Sequence, residues 1–90
     1  MTREKTKKRT QYKDSIGVIY ELVLYNDDVN TFEHVIDVLI DVCELDEIQA
    51  EQITFITHHK GKCAITSGPL NLLNPLNESI SFKGLMCKIE

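Results

Sequence analysis

Tyr20-Glu21-Leu22-Val23-Leu24-Tyr25-Asn26-Asp27-Asp28-Val29-Asn30-Thr31-Phe32-Glu33 carries the change of period that decides the fold. Up to Tyr25 the pattern alternates. Tyr20, Leu22 and Leu24 fall on one side and Glu21, Val23 and Tyr25 on the other, which predicts a strand. After the Asn-Asp-Asp turn, apolar residues recur at helical spacing. Phe32, Val35, Ile36, Leu39, Val42 and Cys43 share a stripe, while Glu33, Asp37, Asp41 and Glu44 sit mostly off it. Asn30 and Glu33 have the spacing of a capping box, which predicts the helix N-terminus there.

Downstream, Asp46 and Gln49 mark a second helix start. Ile48, Ala50, Ile53, Phe55 and Ile56 supply its apolar content, and Lys60-Gly61 ends it with a basic last turn and a glycine cap. Lys62 to Ser67 reads as a short strand with Cys63 and Ile65 facing one way, broken by Ser67-Gly68-Pro69. Asn74-Pro75 is expected to be the cap and first position of a short helix ending at Lys83-Gly84. Leu85-Met86-Cys87-Lys88-Ile89 alternates again as a closing strand. The order β-α-α-β-α-β predicts an α+β domain, a three-stranded antiparallel sheet with helices on one face.

Ninety residues allow one domain with a modest core. Residues 1–15 hold Arg3, Lys5, Lys7, Lys8, Arg9 and Lys13 against Glu4 and Asp14, a balance of +4; with −4 for the whole chain, the remainder carries −8. The first segment is therefore expected to be a disordered basic arm, and residues 16–90 the folded domain. An acidic body repels phosphates and the arm has only Tyr12 to stack on bases, so nucleic acid is not the expected partner. No apolar run reaches membrane-spanning length, and no apolar segment follows the basic residues as in a secretory signal. Cys43, Cys63 and Cys87 are odd in number and far apart, which fits small buried hydrophobes in a reducing cytoplasm.

The chemistry concentrates in two places, Asn26-Asp27-Asp28 and, about thirty residues on, His58-His59-Lys60-Gly61-Lys62. Asp27, Asp28 and Asn30 begin like a calcium loop, but that loop's sixth-position glycine and closing glutamate are missing. His58 and His59, adjacent on a helix, point about 100° apart, and no cysteine lies at ligand spacing, so no metal is expected. No Ser or Cys nucleophile sits in an elbow that His58 would serve, so neither an enzyme nor a cofactor is expected. Each feature alone also has an ordinary structural role, as a helix entry and as a helix C-terminal histidine. Together, two carboxylates, an amide and a histidine suit a primary ammonium group, such as a protein's free amino terminus.

From Tyr20 to Glu90 the sequence resembles the ClpS family, the N-end-rule adaptors of the Clp protease. The resemblance rests on Asn26-Asp27-Asp28, on Glu33 with Val35-Ile36-Asp37-Val38-Leu39, on His58 with Gly61-Lys62, and on Leu85 to Glu90. It implies a site in which Asn26, Asp27 and His58 hold a substrate α-amino group, with Asp28 nearby. It implies a side-chain pocket walled by Asn30, Phe32, Val35, Thr54, Thr57 and Leu85, taking an amino-terminal Leu, Phe, Tyr or Trp. The implied partners are N-degron-bearing proteins and a AAA+ unfoldase of the ClpA or ClpC type, to which the adaptor delivers them in the cytoplasm.

The sequence departs from the family at Thr31, where proline is usual, at Phe32 and Thr54, where methionine is usual, and at Thr57, where an aliphatic residue is usual. The two threonines are expected to make the wall more polar, and Phe32 to fill part of the hole. The stretch from Ser67 to Gly84 is short, so the family's third helix and its unfoldase-docking residues are expected to lack counterparts. The alternative is a diverged ClpS-like interaction module without N-degron binding. A ribosome-associated domain of similar element order, like the stalk protein's C-terminal domain, fits less well because it brings no Asn-Asp-Asp turn paired with a histidine.

Overall fold

The alternating segment Tyr20–Tyr25 forms strand β1, and the helical stripe after it forms α1, Phe32–Cys43. Then come α2 (Glu47–Lys60), β2 (Lys62–Gly68), α3 (Leu70–Phe82) and β3 (Met86–Ile89). The structure is a computed structural model that describes residues 17–90. The basic arm expected at residues 1–15 lies outside the described residues. The sheet has the order β2-β1-β3, with β1 central and antiparallel to both neighbours. The predicted β-α-α-β-α-β architecture is therefore the one observed.

Leu22, Leu24 and Cys87 from the sheet meet Val38 and Leu39 of α1, Ala50 of α2, and Leu73 and Ile80 of α3 in a single core. Val23, on the other side of β1, is buried too, between its cross-strand partners Ala64 and Lys88. The β1–β2 register shifts between Leu22 and Val23, leaving Ile65 as the extra residue between Ala64 and Thr66.

Four local expectations are corrected by tertiary contacts. The cap of α1 is Thr31, whose hydroxyl accepts from the His34 amide at 3.1 Å; the Asn30 side chain turns to Asp27 and Gly84 instead. The third helix is present, and it starts at Leu70 rather than at Pro75. Pro69 is its N-cap, its carbonyl accepting from Leu72 and Leu73. Pro75 lies inside the helix and cannot supply the usual amide hydrogen bond. Leu73, Leu76 and Ile80 reach the core on one stripe only if the helix runs through Pro75, and their burial outweighs the missing bond. Helix α2 buries Ala50, Thr54 and Thr57, while Ile48, Phe55 and Ile56 stay exposed. Only positions 50, 53, 54 and 57 recur at the spacing of the face turned to α1 and β2. Of the cysteines, Cys87 is buried and Cys43 and Cys63 only partly so, and all three are free.

Helix α1 ends on Glu44, a non-glycine residue at φ 56°, whose amide donates to the Ile40 carbonyl at 3.1 Å. The left-handed backbone is unfavourable for a glutamate, and its charge opposes the negative end of the helix dipole. Glu44→Asn removes the charge and supplies a residue that tolerates this conformation. It is expected to stabilise the domain by about 0.5–1 kcal/mol, raising the thermal midpoint by a few degrees in a calorimetric scan.

Candidate functional site

The last residue of β1 delivers the chain into the acidic turn, and one backbone bond decides where that turn sits. The Asn26 amide donates to the Gly61 carbonyl at 2.9 Å. Gly61 caps α2 at φ 96°, its own amide bonded to the Thr57 carbonyl. That positive φ favours glycine and turns the chain sharply from α2 into β2. It also brings the last turn of α2, with His58, beside the Asn-Asp-Asp segment.

Asp27 organises the turn. One carboxylate oxygen accepts from the Val29 and Asn30 amides, and the other accepts from the Asn30 side chain, each at 2.9 Å. These bonds, that from the Asn30 amide foremost, hold the Asp27 pKa below its ordinary value despite partial burial, so the group is ionised at neutral pH. Asn30 donates as well to the Gly84 carbonyl at 3.0 Å, which ties the turn to the start of β3 and sets Leu85 against it. His34 makes a second tie, its Nε2 lying 2.9 Å from the Lys83 carbonyl.

These ties enclose a cavity of about 310 Å³, near the lower end for ligand pockets and suited to one side chain rather than a large molecule. Asn26, Asp27, Asp28 and His58 line it together with Asn30, Phe32, Val35, Thr54, Thr57 and Leu85. The structure thus gathers all ten residues singled out in the sequence around one space. Leu24, Tyr25 and Thr31 line it as well and were not anticipated. The first two end the strand that leads into the turn, a position from which their place could have been read.

The wall differs in character from what residue type suggests. The Thr54 hydroxyl donates to the Ala50 carbonyl at 2.8 Å and the Thr57 hydroxyl to the Ile53 carbonyl at 2.7 Å. Both protons are engaged within α2, so neither threonine donates to a ligand, and the wall is less polar than expected. Phe32 packs edge-on to His58, with ring centroids 5.2 Å apart, and is held at the rim, partly exposed. His58 also meets His59 edge-on. Among the described residues, no three His, Cys, Asp or Glu side chains gather as a metal site. Burial raises the pKa of all three thiols, Cys43 to about 11, the direction opposite to nucleophile activation. No helix among the described residues is long and apolar enough to cross a membrane.

The arrangement therefore gathers acidic and amide side chains, with Asp27 and Asn30 held by hydrogen bonds, and apolar side chains around one small cavity. No curated protein matches the chain. Among solved structures, that of Agrobacterium tumefaciens ClpS2 bound to L-phenylalaninamide is similar in fold, with a TM-score of 0.74 over 80% of this chain and 94% of that one at 23% identity. The family model for the ATP-dependent Clp protease adaptor protein ClpS matches residues 18–88. Spanning nearly all of the described domain, that match shows that the chain belongs to the ClpS family of Clp protease adaptors.

Proposed function

We propose that this chain is an adaptor that binds proteins through a free, hydrophobic amino-terminal residue and hands them to a Clp-type AAA+ unfoldase of the ClpA or ClpC kind. The carrying observation is the single cavity in which Asn26, Asp27, Asp28 and His58 meet Phe32, Val35 and Leu85. A terminal ammonium offers three donors in a fixed fan, and carboxylate acceptors make the resulting bonds charge-assisted. The adjoining apolar space then selects the side chain, since burying a leucyl or aromatic group contributes roughly 1.5–3 kcal/mol. L-phenylalaninamide, the ligand of the Agrobacterium protein of similar fold, has these two parts, a free amine and an apolar side chain.

The test is a fluorescence-anisotropy titration with peptides that differ only in their first residue. Leu, Phe, Tyr and Trp are expected to bind and Gly, Ser and Asp not to. The cavity is small and the Phe32 ring, packed on His58, lines it, so Trp is expected to bind most weakly of the four. Phe32→Met should recover the larger side chain, because a thioether adapts to irregular shapes. Tryptophan as the tightest ligand of the unmodified protein would contradict the inferred shape, and uniform affinity across the panel would contradict the function.

A further inference from the structure

Three exposed apolar residues of α1 and α2, Phe32, Phe55 and Ile56, cluster with the half-buried Ile36, while Ile48 stands apart. Phe32 and Ile36 of α1 and Phe55 and Ile56 of α2 line one groove between the helices, with Glu33 and Glu51 at its edges. Phe55 is 55% exposed and Ile56 40%, which is costly surface for a monomer to present unless something covers it. The groove is also preformed. Phe55 stacks on His59 with ring centroids 4.0 Å apart, and Phe32 rests against His58, so little side-chain freedom remains to be lost on binding.

Charge indicates the occupant. From residue 14 to residue 59 the chain contains no Lys or Arg, so apart from His34, His58 and His59 the ionisable residues of both helices before Lys60 are acids. The partner that complements this face is an apolar segment flanked by basic residues. Position indicates where the segment comes from. Phe32 is a wall of both the groove and the candidate amino-terminal cavity. An extended chain leaving that cavity crosses one ring in two or three residues, roughly 7–10 Å.

We infer that this groove is a second recognition site for the same substrate, taking an apolar residue at about the third to fifth position with Lys or Arg beside it. The inference rests on the reading of the cavity above. The amino-terminal residue supplies the anchor, and the groove grades substrates that share it. Such a site discriminates between proteins with identical first residues.

Two Leu-initiated peptides separate the possibilities, one continuing with Gly and Ser and one carrying Ile or Phe with Lys at positions three to five. The second is expected to bind the unmodified protein at least about fivefold more tightly, with the advantage shrinking as salt is raised. In the double variant Phe55→Ser, Glu51→Lys, with circular dichroism showing the helices intact, the advantage should vanish while the Gly/Ser peptide keeps its affinity. Equal affinity of the two peptides for the unmodified protein would overturn the inference and leave amino-terminal recognition standing. So would an advantage that survives in the double variant. Concentration-dependent self-association that Phe55→Ser abolishes would overturn it by assigning the face to a second copy of the chain. Failure of both Leu peptides to bind would remove the cavity reading and this one with it.

Discussion

Acetylating the amino terminus of a Leu- or Phe-initiated peptide is expected to lower its affinity by at least about 100-fold, or roughly 2.7 kcal/mol. Hydrogen bonds to charged groups contribute about 1.5–3 kcal/mol each, and acetylation removes the charge and two of the three donors together. Asp27, its pKa held low by the turn bonds, and Asp28 both line the cavity, so the acetylated end meets an anionic rim it cannot satisfy. Paired titrations of free and acetylated peptides measure the effect. Equal affinities would remove the ammonium from the account of this site. The pH dependence follows from Asp27. Its folded pKa is lowered below 3.8, so the stabilisation its turn bonds contribute is fully present above that value and fades as pH falls through the depressed one. The turn should therefore persist unchanged from pH 7 to pH 5. Asp27→Ala frees the Val29 and Asn30 amides as well as removing a charge, and is expected to reduce peptide affinity by more than about 1.5 kcal/mol.

Leu39→Ala is expected to cost about 2–5 kcal/mol, a large share of the total stability of a small domain. Leu39 is wholly buried where α1 meets the core, and truncation removes transfer energy and leaves a cavity. Ile48 supplies the control. It also lies in a helix and is of similar size, but it is 67% exposed, so Ile48→Ala should change stability by no more than about 0.5 kcal/mol. Urea titrations of the two variants should show a large shift in midpoint for the first and almost none for the second, at unchanged slope. A comparable loss for both would mean that Ile48 is covered in solution.

Sequence periodicity was enough for the element order, because β1 and α1 each carry a hydrophobic pattern that survives without knowledge of neighbours. The turn chemistry of Asn26-Asp27-Asp28 and the glycine cap at Gly61 are also local, set by side chains within a few residues. Asp46 behaves the same way, its capping box with Gln49 forming as the spacing predicts. Tertiary structure alone decided what competes for a side chain. Asn30 had a local role available as a helix cap and gave it up, because Gly84, 54 residues away, offers its amide a second acceptor beside Asp27. Pro75 reads locally as a helix start, yet the core contacts of Leu73 and Ile80 carry the helix through it. In α2 the side chains largest by type face outward, since only the packing of α1 and β2 determines which face is covered. The candidate site depends on both levels. Its residue types stand in two short stretches of sequence, but their meeting depends on the Asn26–Gly61 bond, a long-range pairing that no local pattern encodes.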